Sequence, residues 1–146
     1  MLGILLTLAA LVMGQASSEQ QVVGTWKFAT ATLKIEWSAK AKAYAKDPKT
    51  AAQAKTSMAN AKAGIANLFA TYRWTFKPNH TFVLAGKDAK QKKTGTWSLY
   101  GSNLRVVMTN AGEKVPELSV DKGGKRIRAT LKEPEIGTAT VDLVKG

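Results

Sequence analysis

The residue types that carry out most acid–base, nucleophilic and metal chemistry are scarce in this chain of 146 residues. It has one histidine, His80, and no cysteine, which excludes disulfide frameworks, thiolate nucleophiles and metal sites built from several Cys or His ligands. His80 follows the turn signal Pro78-Asn79, and we interpret it as an exposed turn residue. Glu133 and Glu135 lie in a predicted loop, and their spacing does not indicate two carboxylates that converge in a cleft. We therefore predict that the protein is not an enzyme and has no catalytic residues, metal site or cofactor.

Positive charge is the strongest compositional signal. There are 22 Lys and Arg residues against 10 Asp and Glu, which gives a formal net charge of +12. A field of this sign attracts nucleic acid, anionic lipid or acidic partners. The Trp and Phe residues fall on predicted inward faces, away from the cations, so we do not expect specific nucleic-acid binding. The candidates for binding an anionic envelope surface or an acidic protein lie in predicted helices and on outward strand faces: Lys40, Lys42, Lys46, Lys49, Arg105, Arg126 and Arg128.

The first residues of the chain predict export. Residues 2–13 form an uncharged apolar run that is short for a membrane span, and Gly14-Gln15-Ala16 places small residues at the −3 and −1 positions of a signal-peptidase site. We expect cleavage near Ala16, which leaves residues 17–146 as one periplasmic or secreted domain. Export without cysteine favours a bacterial envelope protein. A buried N-terminal helix or an uncleaved anchor is the alternative.

Most of the remaining chain predicts short β-strands. Residues 22–28 alternate with Val22, Trp26 and Phe28 on one face, which indicates a half-buried strand. From Tyr72 onward, alternating apolar residues separated by turn signals predict strands to the end of the chain. About eight strands at this spacing are typical of an antiparallel barrel or sandwich. The predicted inward side chains are Trp26, Phe28, Tyr72, Trp74, Phe76, Phe82, Leu84, Trp97, Leu99, Leu104, Val106, Met108, Leu118, Val120, Ile127, Leu131, Val141 and Leu143.

Between these strands, residues 30–71 predict two antiparallel helices. Asp47-Pro48 separates them and supplies an N-cap and an N1 residue for the second helix. The apolar positions of the first helix are Leu33, Trp37, Ala41 and Tyr44. Those of the second form a seam of Ala51, Ala54, Met58, Ala61, Ile65, Leu68 and Tyr72.

Three motifs resemble a known family. A Gly-x-Trp at residues 24–26 follows the predicted leader, and GTWSLYGSNL at 95–104 is similar to a GTW-x-L-x-G-x-x-L hairpin. FKPNHTF at 76–82 is similar to an F-x-x-[DN]-G-T-F hairpin, with His80 where Gly is usual. These hairpins are those of small exported bacterial lipocalin-like proteins, which the chain resembles over most of residues 22–144. The resemblance implies a mainly β fold, a lipocalin-like antiparallel barrel of about eight strands, with the helical pair inserted after strand 1.

The barrel interior suggests the function. Eight strands enclose a space that side chains just fill or that holds one small ligand. We predict that Trp26 and Trp97 plug one end of the barrel, each with its indole N–H on a backbone carbonyl. We expect a monomeric, non-catalytic exported protein that binds a small apolar ligand; the alternative is an interaction or inhibitor module that docks an acidic partner through its basic exterior. The candidate ligand contacts are Trp26, Tyr72, Trp74, Phe82, Trp97 and Met108.

Overall fold

A computed structural model describes residues 19–88, 90, 92–110 and 112–146. Its strands are β1 (Gly24–Trp37), β2 (Arg73–Phe76), β3 (Thr81–Ala85), β4 (Lys93–Tyr100), β5 (Asn103–Met108), β6 (Glu117–Val120), β7 (Arg126–Glu133) and β8 (Gly137–Lys145). They close in chain order into an antiparallel barrel. The helices α1 (Ala39–Lys46) and α2 (Ala51–Thr71) follow β1. The predicted mainly β barrel with two helices after the first strand is confirmed, and the predicted leader lies outside the described residues.

Alternation along the strands forms a single core inside the barrel. All the side chains predicted to point inward belong to this core or pack against it. Phe76 contacts three other rings, with centroid distances of 5.8 Å to Trp74, 6.2 Å to Phe82 and 5.9 Å to Trp97. Gly95 lies directly opposite Phe82, and a Cβ atom at this position would overlap the Phe82 ring. The glycine therefore gives the phenyl ring the room to lie inside the barrel.

One end of the barrel, which we call the closed end, is covered by residues 19–22 in a single helical turn. Val22 belongs to this turn and is fully buried. The first strand therefore begins at Gly24 rather than at Val22 as predicted. The Trp26 indole donates to the Val22 carbonyl at 2.7 Å, and the Trp97 indole donates to the Lys77 carbonyl at 3.0 Å. These bonds confirm that both indole N–H groups reach a backbone carbonyl.

β1 is longer than predicted and contains Leu33 and Trp37, which the helical interpretation placed in the first helix. That interpretation is wrong because β1 has a bulge. Ala29 pairs with Asp142 and Lys34 pairs with Thr140, so β1 advances five residues while β8 advances two. This irregularity breaks the period-two alternation that marks a strand in sequence.

Thr32 replaces the backbone pairing that the bulge removes. Its hydroxyl group donates to the Ala29 carbonyl at 2.6 Å and accepts from the Asp142 N–H at 2.8 Å. The helical insertion consequently spans residues 39–71 rather than 30–71. The Asp142 N–H therefore keeps an acceptor at the bulge, which avoids the free-energy cost of a buried unpaired amide.

The boundary between the helices also differs from the prediction. α2 begins at Ala51 with Thr50 at its N-cap, not with Asp47. The Asp47 carboxylate accepts from the Lys49 N–H at 3.0 Å, and the Asp47 N–H donates to the Ala43 carbonyl at 3.2 Å. Asp47 therefore ends α1 and makes the turn, because its side chain is used within the turn itself.

Candidate functional site

The end of the barrel opposite the closed end, where β1 and β7 finish and β8 begins, is the mouth. β2 pairs only with Gly24–Lys27 of β1, whereas β8 pairs with β1 as far as Trp37. The upper part of β1 therefore has no β2 beside it, and α2 packs against β1 there. Phe69 of α2 stacks on Phe28 of β1 with ring centroids 4.5 Å apart and planes 16° apart. α2 is therefore a lid over part of the mouth.

A groove lies between this lid and the β7–β8 hairpin, with a volume of about 170 Å³. Its inner wall includes Leu131 and Ala139, which pair across β7 and β8 and contact the barrel core. Leu68, on the outer side of the groove, is 53% exposed. We call this the mouth groove; its lining residues are Ile65, Leu68, Phe69, Leu131, Glu133, Ile136, Gly137 and Ala139.

Near this groove, the buried face of the second helix differs from the predicted apolar seam. Leu68 was predicted to face the protein, but it is exposed, and Phe69 is buried in its place. Ile65 and Phe69 are one helical turn apart and both contact the core. Their spacing could have indicated that they share one face of the helix. The sequence did not reveal that this face lines a groove with Leu131 and Ala139, because the upper part of β1 was predicted as helix.

The predicted ligand contacts divide into three positions. Trp74 and Phe82 are buried with ring centroids 5.3 Å apart, and Trp74 pairs directly with Trp26 across β1 and β2. Tyr72 and Met108 are half-buried and pack against the core. The indoles of Trp26 and Trp97 bond to backbone carbonyls at the closed end. Of the six residues, none lines the mouth groove.

The predicted anion-binding residues divide into two regions. In the helical region, Lys40 lies 3.0 Å from Glu135, Lys42 lies 4.0 Å from Glu36, and Lys46 and Lys49 are exposed. The arginines lie on the outer wall of the barrel. β7 runs between the two regions for eight residues, or roughly 23 Å at the usual rise per residue. The structure therefore does not join them into a single binding face.

Two of the arginines form an outer-wall cluster with Asp142, a carboxylate that points outward yet is only 6% exposed. Arg128 Nε lies 3.2 Å from one oxygen of Asp142, and an Arg126 guanidinium nitrogen lies 3.4 Å from the other. The two guanidinium groups are more than half exposed and border a surface pocket of about 290 Å³. The third arginine, Arg105, lies with its guanidinium carbon 6.0 Å from the centre of the Tyr100 ring. The sequence placed the arginines outward but gave no sign of the carboxylate between Arg126 and Arg128.

Two further searches cover the described part of the chain. Among those residues, no three His, Cys, Asp or Glu side chains come together as a metal site. No described helix is long and apolar enough to cross a membrane.

Comparison with known proteins gives a structural likeness and no sequence family. No sequence profile of a known family matches the chain, and no curated protein matches it significantly. The fold is similar to the crystal structure of a DUF4847 family protein from Bacteroides vulgatus, with a TM-score of 0.46 and 13% sequence identity. The match covers 89% of this chain and 97% of the other.

Proposed function

We propose that this protein binds a small apolar molecule, without changing it chemically, in the mouth groove of its barrel. The observation that carries the proposal is an apolar groove left open to solvent between α2 and the β7–β8 hairpin. We also propose that it does so outside the cytoplasm as a monomer. The leader pattern of residues 1–16 supports the location.

The size and the lining of the groove define the ligand. An apolar cavity of about 150 Å³ in a protein core holds a benzene molecule, and the mouth groove has a volume of about 170 Å³. Its walls are the aliphatic and aromatic side chains of Ile65, Phe69 and Leu131. A single ring or a short alkyl chain therefore fits, and its transfer from water to this surface provides the binding free energy.

The lid provides a route for entry. Within the described residues, α1 buries no side chain, and α2 buries only Ala54 and Phe69. A helix held by so few buried residues opens at a lower free energy than the barrel unfolds. The ligand can therefore enter between α2 and β7–β8 while the barrel stays closed.

The test is a thermal-shift titration with toluene. Binding at a free toluene concentration c stabilises the folded state by RT ln(1 + c/Kd), so the Tm of the wild-type protein should keep rising with toluene concentration. The increase should be independent of salt because toluene carries no charge. Leu68→Gln replaces an apolar wall of the groove with an amide and should make the increase smaller. Val107→Gln is the matched control, because Val107 is 57% exposed but lies on the barrel strand β5 outside the groove. An equal response of both variants, or no response of the wild type, contradicts the proposal.

A second candidate function rests on the outer-wall cluster. Asp142 holds two exposed guanidinium groups side by side, and the planar donors of arginine suit carboxylates of an acidic protein. If this cluster binds such a partner, Arg126→Gln and Arg128→Gln each weaken binding of a poly-glutamate peptide, and salt weakens it steeply. Binding of toluene would not change in either variant.

A further inference from the structure

Four neighbouring strands present a row of residues across the outer wall of the barrel. Arg126 of β7 pairs directly with Val144 of β8, and Val144 pairs with Lys27 of β1. Lys27 pairs in turn with Arg73 of β2. These residues point outward, because the neighbours that alternate with them in each strand belong to the core. We call Arg126, Val144, Lys27 and Arg73 the basic row; it contains three cations and no acid.

The cations of the basic row keep donors that the protein does not use. Among the ion pairs of the described residues, none involves Lys27 or Arg73, and both side chains are exposed. Arg73 donates from one guanidinium nitrogen to two backbone carbonyls at the end of α2. Arg126 contacts Asp142 through one nitrogen at 3.4 Å, and its side chain is 59% exposed. The row is therefore complementary to an anionic partner along its length.

Val144 separates the first two cations. It is half-buried and lies one strand from Arg126 on one side and one strand from Lys27 on the other, about 4.8 Å in each case. An anion placed over this apolar group would lose water without gaining a polar partner. A partner that follows the row therefore needs an apolar group between two anions, which favours a polypeptide over a chain of phosphate or sulfate groups.

The spacing of the row matches that of an extended polypeptide. Because neighbouring strands are about 4.8 Å apart, Lys27 lies about 10 Å from Arg126 across the sheet and Arg73 lies about 14 Å from it. Side chains on one face of an extended chain recur every second residue, so positions i and i+4 are about 13 Å apart. Acidic side chains at i and i+4 therefore reach Arg126 and the Lys27–Arg73 pair, and the side chain at i+2 lies over Val144.

We infer that the acidic partner binds as an extended segment with the pattern acidic-x-apolar-x-acidic, laid across β7, β8, β1 and β2 along the basic row. The inference rests on the second candidate function and names the form of its partner. The planar donors of Arg126 suit the first carboxylate, and Lys27 and Arg73 bind the second. An anionic bilayer does not match this arrangement, because the row follows the curved wall of a closed barrel and a bilayer surface is flat.

The first test compares two peptides of the same composition, Glu-Ser-Leu-Ser-Glu and Glu-Glu-Leu-Ser-Ser, each blocked at both ends. They are titrated at low salt into the ¹⁵N-labelled full chain and followed by ¹H–¹⁵N NMR. The first peptide should bind about two- to fivefold more tightly, the contribution of the one exposed ion pair that the second peptide cannot form. It should also shift the amide resonances of Arg126, Val144 and Lys27. Equal binding of the two peptides overturns the inference.

A matched pair of variants, Lys27→Gln and Lys34→Gln, tests the position of the segment. Both lysines are exposed residues of β1, and each substitution removes one charge. Lys34, however, pairs with Thr140, which lies four residues from Val144 along β8, or about 13 Å. Lys27→Gln should weaken binding of Glu-Ser-Leu-Ser-Glu about two- to fivefold, and Lys34→Gln should leave it nearly unchanged.

The outcomes separate this inference from the function on which it rests. Equal effects of the two lysine variants show attraction to the general positive charge and overturn the inference. The second candidate function still stands in that case if Arg126→Gln and Arg128→Gln weaken binding of poly-glutamate. If neither arginine variant weakens it, the second candidate function fails as well.

Discussion

Three buried tryptophans inside the barrel differ in what their indole N–H groups contact, and this difference predicts their contributions to stability. Trp26→Phe, Trp74→Phe and Trp97→Phe remove the same atoms. Trp26→Phe also leaves the buried Val22 carbonyl without a donor, which costs about 1 to 3 kcal/mol beyond the loss of packing. Trp97→Phe costs less, because the Lys77 residue is exposed and water can replace the indole. Trp74→Phe loses no hydrogen bond.

Urea unfolding followed by far-UV circular dichroism measures these differences. We expect the free energy of unfolding to fall most for Trp26→Phe and least for Trp74→Phe. A loss for Trp74→Phe as large as that for Trp26→Phe would show that the Trp74 donor has a partner in the unliganded protein.

Asp142 provides a second prediction for a single residue. Asp142→Ala should lower the free energy of unfolding by about 1 to 3 kcal/mol, because it leaves Arg126 and Arg128 close together without the carboxylate between them. Exposure of both guanidinium groups keeps the loss below that of a fully buried pair. Glu135→Ala is the control, since its pair with Lys40 is about three-quarters exposed and contributes within roughly 0.5 kcal/mol. Chemical denaturation of both variants should separate them; equal losses would contradict the role of burial.

At the residue scale the sequence predicted which side chains point inward and which indoles reach carbonyls, because both follow from period-two alternation and from the cost of a buried N–H. It could not predict the outer-wall cluster. Asp142 lies between Val141 and Leu143 in an alternating strand, where it resembles any solvated carboxylate. Its burial depends on contacts with β7 and the β1 bulge, which are distant in sequence.

Replacing a glycine with alanine should have opposite effects on stability in α2 and in β4. A Cβ atom at Gly64 in α2 meets nothing within 4 Å, so Gly64→Ala should raise the free energy of unfolding by about 0.5 to 1 kcal/mol through helix propensity. A Cβ atom at Gly95 in β4 would overlap Phe82 and the Val107 carbonyl, so Gly95→Ala should lower it by at least about 1 to 3 kcal/mol. Urea titrations test both, and a neutral Gly95→Ala would show that the Phe82 ring and the β5 backbone at Val107 can both shift.

At the element scale the strands from β2 to β8 were predictable because turn signals separate them and their alternation is regular. The upper part of β1 was not. Leu33 and Trp37 are four residues apart and satisfy a helical period, whereas the bulge that makes them part of a strand depends on Thr32 bonding to β8. The mouth groove depends on this same part of β1 and was missed with it.

The charge of the whole molecule gives a prediction that concerns no single contact. A formal charge of +12 on one small domain destabilises the compact state through self-repulsion. The Tm should therefore rise as NaCl increases from roughly 10 to 200 mM, over which the Debye length falls severalfold. Replacing the exposed Lys46, Lys49, Lys55 and Lys62 with Gln lowers the charge from +12 to +8 and should make this increase smaller. A Tm that falls with salt would show that the ion pairs outweigh the repulsion.

Closure of the barrel also has a consequence for how the protein is made. The seam between β1 and β8 joins Phe28 to Leu143, positions at opposite ends of the described chain. Contacts so distant in sequence are slow to form, because the whole intervening chain must be ordered to bring them together. During synthesis, β1 cannot pair with β8 until β8 has left the ribosome. Until then, Thr32 also lacks the Asp142 N–H that donates to its hydroxyl group. Closure of this barrel therefore waits for its last strand, whatever its early hairpins do on the way.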